Sequence, residues 1–598
     1  MRKISSPREI LTLDLRALAV FRVGIGLLLA LDTLMRWRDL RAHYADFGIL
    51  PVAPFIQQFG NRLHISLHLA SGTAGWQHCL FAITLLAGLA MMLGWRTRLA
   101  TIAGWVLLVS VQNRNPMILN GGDVLLRLLY FWAMFLPLGA RYSIDAALQT
   151  TQGAANNRLC SGGTIALILQ IAMIYLSTSL LKTGKEWWPD GTASYFALSL
   201  DSFATSTGVW LRQYFTLLHA ATYFVYLLEA ATTFLILSPF FQVVTRTVTL
   251  AVLVLMHLNF DVTMQIGLFP WIDIVALIAL LPPAVVDRIV LSLKTEARLR
   301  LTIYYDGDCG FCRRVVSLLR EFLLVPETRL APAQVDPAKA ALMARENSWI
   351  VEDWTGTLHI RWDAFVTVLQ HVPVAGPLAR RLPLGSLAFV MDPFYRLVAR
   401  HRATLGRWTA ALLKERPQPE PKASALMNLL ALFFIGYVGL WNLSTIPAAR
   451  IRILAPWDQI GPVLRLDQKW NMFAPYPLKE DGWFVIDGEL GDGTKVDVLH
   501  GRMQPASYAR PASMLSTYID IRWRKFLMNI YPRSKQAYRL YYGKYLCRSW
   551  NEGALPEGRR LAHFEIVFMK EPSVLPGETS QIVRESLWQH DCFKRANK

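Results

Sequence analysis

Cys309 and Cys312 stand two residues apart, where the strand-like run 301–305 gives way to a helix-like run ending near 325. Such a Cys-x-x-Cys pair suits thiol–disulfide exchange, because the N–H groups at a helix N-terminus favour a thiolate. The first cysteine, Cys309, is expected to be the nucleophile. Cys312, one turn on, is expected to resolve the mixed disulfide. Asp306 and Asp308, in the turn just before the pair, are assigned to substrate binding. A structural zinc site would need a second pair of ligands at matching spacing, and the sequence has none, so no metal is expected. Two cysteines packed as small apolar residues are the remaining structural alternative.

A second set of candidates lies among apolar stretches. Asn120 and Asp123 open one such stretch, Lys182 closes another, His257 closes a third, and Gln265 begins a fourth. Ionisable residues at membrane depth are costly and mark functional sites. A lysine at a dry helix end can be neutral enough to take a proton. Each residue also has an ordinary reading: a terminal lysine snorkels to the interface, and a histidine at a helix end packs. Lys182 and His257 are the catalytic candidates of this set; Asn120, Asp123 and Gln265 are the binding candidates.

The elements that must position both sets are those of a membrane protein. Hydrophobic residues make up 53% of the 598-residue chain and charged residues 18%, which excludes an ordinary soluble multidomain protein. Apolar runs of near-spanning length lie at 16–35, 78–95, 99–113, 124–140, 163–182, 216–237, 242–259 and 265–283, with a ninth at 425–446. The net charge of +19 is assigned to membrane-flanking Lys and Arg, and no nucleic-acid partner is expected. Trp95-Arg96-Thr97-Arg98, with Arg2, Lys3, Arg8 and Arg16, puts the N-terminus in the cytoplasm. Arg288, Arg298, Arg300, Lys414, Arg416 and Lys422 agree, whereas Arg36, Arg38 and Arg41 violate the rule. Residues 284–424 are then cytoplasmic, and everything after about 447 is on the outer face. There Cys547 and Cys592 could pair.

The insert alternates as a thioredoxin-like domain: strand 301–305, helix, strand 328–334, helix 337–346, strands 348–352 and 357–361, and a helix from about 363. The run 415–423 is a linker. In the last segment, alternating runs 483–490 and 494–499 flank Gly491-Asp492-Gly493, a hairpin signal. The stretch 521–550, rich in Arg, Lys and Tyr, reads either as the solvated basic face of a small α+β domain or as an amphipathic surface on anionic headgroups.

Tyr305-Asp306-Gly307-Asp308-Cys309-Gly310-Phe311-Cys312, with Met391-Asp392-Pro393-Phe394-Tyr395-Arg396-Leu397-Val398-Ala399-Arg400-His401-Arg402, resembles the DCC family of thiol-disulfide oxidoreductases over roughly 300–410. No proline precedes Ser348-Trp349, where a thioredoxin would face its substrate. Leu15-Arg16-Ala17-Leu18-Ala19-Val20-Phe21-Arg22, Asp46-Phe47-Gly48-Ile49-Leu50-Pro51, the run 175–187 and the run 257–270 resemble the horizontally transferred transmembrane domain (HTTM). That domain is related to the vitamin K-dependent gamma-carboxylase. The resemblance spans about 10–285. It implies a base role for Lys182 towards vitamin K hydroquinone and a nearby His257. Leu181 stands where the carboxylase has a second lysine.

The expected fold is a polytopic α-helical membrane protein of about nine spans, with an inserted thioredoxin-like α/β domain and a C-terminal α+β domain. The expected domains are 1–290 (HTTM-like), 297–415 (thioredoxin-like), 425–446 (ninth helix) and 447–598 (outer face). The expected function is a membrane-bound thiol-disulfide oxidoreductase joined to a carboxylase-like, quinone-handling membrane domain in a bacterial cell membrane. Its expected partners are the lipid bilayer, a cytoplasmic thiol or disulfide, and a quinone. Alternatives are a quinol-dependent carboxylase or epoxidase based on Lys182, and a non-enzymatic transporter or scaffold with a redox-sensing cysteine domain.

Overall fold

The computed structural model describes residues 4–60, 63, 65–149, 156–415, 424–553 and 555–593. Arg2, Lys3, Arg416, Lys422 and the predicted linker beyond Glu415 lie outside the described residues. The N-terminal half is helical. Its main helices are α1 (Leu15–Arg38), α2 (Ala74–Leu93), α3 (Thr97–Arg114), α4 (Gly121–Ala133), α5 (Gly162–Leu181), α6 (Phe215–Ile236), α7 (Gln242–Thr263), α8 (Phe269–Ala279) and α9 (Pro283–Leu293).

Each predicted span is a helix, but about nine crossings are not supported. Among the described residues, five helices are long and apolar enough to cross a bilayer: α1, α2, α5, α7 and the later Ala425–Ser444. A sixth is added if α8 and α9, which meet at an 88° bend, form one span. The reason is visible in α4. Its 13 residues reach only about 20 Å, against a hydrocarbon core of about 30 Å. Leu125 through Ala133 are all buried against neighbouring helices, so its apolar character serves packing in the bundle.

α1 and α2 run antiparallel and pack closely because small residues face each other: a Cβ on Gly26 would come within 2.8 Å of the Gly88 carbonyl oxygen. The pair also fixes which end of the bundle is which. Near the start of α1, Arg22 donates to the carbonyls of Leu138 and Arg141. At its end, Arg38 pairs with Asp520.

The insert follows at the first of these ends. It comprises β1 (Thr302–Tyr305), α10 (Gly310–Leu323), β2 (Arg329–Pro332), α11 (Pro337–Glu346), β3 (Ile350–Glu352), β4 (Leu358–Ile360), α12 (Arg361–His371), α13 (Ala388–Arg400) and α14 (Arg402–Leu412). The sheet order is β2-β1-β3-β4, with β1 and β2 parallel and the other pairs antiparallel. Leu301, Ile303, Val316, Val351, Ala364 and Val368 fill its core. The insert touches the bundle where α2 turns into α3: Trp95 Nε1 donates to the Leu412 carbonyl at 3.1 Å. Close by, the Tyr142 amide donates to Glu321 at 2.6 Å.

After α15 (Ala425–Ser444) come β5 (Glu480–Leu490), β6 (Lys495–Asp497), α16 (Ile521–Ile530), α17 (Gln536–Trp550), β7 (Leu561–Pro572) and β8 (Val583–Asp591). The four strands form an antiparallel sheet in the order β8-β7-β5-β6. The predicted hairpin turns at Gly491–Gly493, where Gly493 has φ +86°. Cys547 and Cys592 form a disulfide.

The basic stretch 521–550 is not simply a solvated face. Arg522, Arg524 and Arg539 are buried. Arg522 reaches into the membrane domain and pairs with Asp32 and Asp123 at 2.6 Å each. Arg524 donates to the carbonyls of Ser202 and Gln265. The same packing accounts for the arginines that violated the charge rule. Arg36 pairs with Asp32 and Asp123, Arg38 with Asp39 and Asp520, and Arg41 with Glu552. Carboxylates within the fold neutralise these charges, so their position carries no topological information.

Candidate functional site

The dithiol is built by one local device. β1 ends at Tyr305, and the Asp306 carbonyl accepts the Cys309 amide at 3.1 Å, which turns the chain into α10. Cys309 is the N-cap of that helix, and its sulfur accepts the Cys312 amide at 3.4 Å. The two sulfurs lie 2.9 Å apart, with the Cys312 thiol donating. Both are free thiols and half-buried. Cys309 is therefore the acceptor of two donors, while burial pushes the Cys312 thiol up to about 12. Cys312 therefore keeps its proton at neutral pH.

Asp306 and Asp308 sit at the turn, but they differ in role. Asp306 accepts the Asp308 amide at 3.2 Å and Gln334 Nε2 at 3.1 Å, and Arg402 pairs with it at 3.3 Å. It holds the loop in shape. Asp308 is exposed. A cavity of about 390 Å³ opens beside Cys312, walled chiefly by Phe311, Trp349, Trp362, Phe365, Met391 and Tyr395. Apart from Phe311, which lies inside the motif, these wall residues do not follow from the Cys-x-x-Cys pattern. They come from the chain entering β3, α12 and α13, which only the fold brings together.

The membrane-domain candidates lie towards the end of the bundle covered by the C-terminal domain, but they separate into distinct environments. Asn120 caps α4, accepting the amides of Gly122 and Asp123. Asp123 is held by Arg36 and Arg522 in a buried network with Asp32. Gln265 is exposed, and its carbonyl is taken by Arg524. Lys182 is buried at the end of α5, paired with Glu229 of α6, with its ammonium 4.0 Å from the centre of the Trp187 ring. His257 lies within α7, and its Nε2 is 3.0 Å from the Tyr175 hydroxyl.

The partners Glu229, Tyr175, Asp273 and Asp32 are absent from the residues singled out by sequence. Three of them are carboxylates inside apolar runs, which is the signal that could have found them. His257 Nδ1 and Asp273 Oδ2 are buried without a hydrogen-bond partner among the described residues. Tyr175 lies within electrostatic reach of both Glu229 and Asp273. Among the described residues, no group of three or more His, Cys, Asp or Glu is placed to hold a metal ion.

Residues 11–284 match the family model of the HTTM domain, and residues 303–408 match that of the DCC1-like thiol-disulfide oxidoreductases. No curated protein and no solved structure matches the chain. Both matches enclose the sites just described, the first containing Lys182 and His257, the second containing Cys309, Cys312 and Arg402. The chain joins an HTTM domain to a DCC1-like thiol-disulfide oxidoreductase domain.

Proposed function

We propose that the protein is a membrane-bound thiol-disulfide oxidoreductase in which Cys309 attacks a disulfide and Cys312 resolves the intermediate. The observation that carries this is the asymmetry of the pair: Cys309 Sγ caps α10 and accepts from both Cys312 groups, while the half-buried Cys312 keeps its proton. The parallel β1–α10–β2 unit followed by the antiparallel β3–β4 hairpin supports a thioredoxin-like reading of the insert. Single-turnover reduction of a model disulfide by the full-length, pre-reduced protein tests it. Parent protein is expected to release thiol and Cys309→Ser is not; equal rates would overturn the proposal.

The dithiol domain is assigned to the cytoplasmic, reducing side and the C-terminal domain to the outer face of a bacterial cell membrane. The Cys547–Cys592 disulfide, at the end of the bundle away from the dithiol, supports that orientation. An impermeant maleimide should label Cys309 only after lysis; labelling in intact cells reverses the orientation.

A second reading, quinone handling in the membrane domain, is favoured by one observation. Among the described residues, His257 Nδ1 and Asp273 Oδ2 are buried polar atoms without hydrogen-bond partners, and they could meet the oxygens of a quinone or hydroquinone. A bound quinone would supply a two-electron carrier. Lys182 is paired with Glu229 rather than free, so a base role requires that pair to part. Quinone quenching of tryptophan fluorescence that survives His257→Ala unchanged would remove this reading.

A further inference from the structure

We infer that the substrate of the dithiol is a small-molecule disulfide with an apolar, aromatic-sized body, bound in the cavity between α10, α12 and α13. This rests on the oxidoreductase reading and names its substrate class. Two independent observations carry it. The cavity, about 390 Å³, lies directly against Cys312, and its walls are almost wholly apolar. Polar groups are confined to a few positions, chiefly the Asp306–Arg402 pair. A pocket of this size and lining binds a compact apolar group, with a few polar atoms fixing its orientation.

The second observation concerns the alternative substrate, an extended peptide. Such a peptide would bond to free backbone groups of the segment facing the dithiol. That segment is the chain entering β3, and its groups at Trp349 are already used: the amide donates to the Tyr395 hydroxyl at 3.1 Å, and the carbonyl accepts the Ser348 hydroxyl at 2.8 Å. Tyr395 belongs to α13, which covers that segment and supplies one wall of the cavity. One helix therefore closes the peptide route and forms the small-molecule site.

The step balances within the pair and its substrate. With the body of the disulfide in the cavity, its sulfurs lie at Cys312, one sulfur–sulfur contact of 2.9 Å from Cys309. The Cys309 thiolate attacks one substrate sulfur, the substrate S–S bond breaks, and the departing thiolate takes a proton. Cys312 then loses its proton and attacks Cys309 of the mixed disulfide, expelling the second thiol. One dithiol and one disulfide become one protein disulfide and two thiols, a two-electron exchange.

Pre-reduced full-length protein in detergent would be mixed in single turnover with bis(carboxybenzyl) disulfide or hydroxyethyl disulfide. Their leaving thiols are of similar acidity, so a rate difference reports recognition of the ring. The expected result is a second-order rate constant at least about tenfold higher for the benzyl compound, the scale of burying one aromatic ring. That preference should fall to near unity in Ala399→Phe and in Met391→Trp, which fill the cavity from α13. A preference below about twofold in the parent, or one that persists in both filled variants, overturns the inference while leaving the oxidoreductase reading standing. If neither disulfide reacts faster with the parent than with Cys309→Ser, the oxidoreductase reading itself falls, and the substrate class with it.

Discussion

At Cys309 the reactive atom is half-buried at a helix N-terminus, next to an open apolar cavity. At Lys182 the charged atom is fully enclosed, with Glu229 and the Trp187 ring already satisfying it. The sequence pointed to them on different grounds, Cys309 by its spacing from Cys312 at a strand–helix junction and Lys182 as an ionisable residue closing an apolar stretch. The difference is one of vacancy. The dithiol domain keeps space beside its reactive group and leaves its exchange partner to arrive. The membrane domain pairs most of its charges internally and uses several of them to hold the C-terminal domain in place.

The sharpest way to break this contrast is a pair of substitutions read by the same assay. Cys309→Ser is expected to lower disulfide reduction by roughly 10³-fold or more, the scale of losing a covalent nucleophile. Lys182→Ala should leave the rate per folded molecule within about twofold, because the two sites occupy different domains without shared partners. Comparable losses in both would mean that the two regions act as one site.

Next in size is Arg522→Ala, which leaves Asp32 and Asp123 with Arg36 as their remaining cation. Breaking such a buried network costs about 3–5 kcal/mol. Thermal unfolding in detergent should show early release of the C-terminal domain, seen as new protease sensitivity after 447. Replacing Cys547 and Cys592 together with serine should cost about 2–4 kcal/mol through the opened loop. The dithiol domain should be unaffected, which unfolding followed by probes in each domain can check.

The smallest effect is a pH slope. Burial holds Cys312 protonated up to about 12. Its thiolate fraction therefore rises with pH throughout the range below that value. Release of the second thiol from the mixed disulfide should speed up about tenfold per pH unit between 7 and 9. Stopped-flow measurement showing a flat profile would mean that Cys312 is not the resolving group.

Much of the dithiol site was legible in the order of residues, because its core device is local. The strand end, the Asp-Gly-Asp turn and the helix cap lie within eight consecutive positions, so sequence spacing is spatial spacing. Gln334, Tyr395 and Arg402 were not identified as parts of the site. They lie 25 to 93 residues beyond Cys309 in the chain and reach the site through a sheet order and a closing helix that spacing does not measure. The membrane candidates fared differently. Lys182 and His257 are buried and polar-paired, but Asn120, Asp123 and Gln265 serve as a cap, an ion pair and an exposed end. Hydropathy located a helix at each of the nine predicted runs but not which of them cross, since an apolar stretch such as α4 satisfies protein neighbours as well as it would lipid.

The division of labour between chain and fold is thus physical. Helix positions, the strand–helix rhythm of the insert, the hairpin and the reactive pair follow from local preferences and short spacing, which the chain carries wherever it goes. Which charges are neutralised, which arginine enters the bundle, what covers β3 and what cavity stands beside Cys312 depend on contacts between residues tens to hundreds of positions apart. Those contacts are created by packing, and no property of the individual residues specifies them in advance.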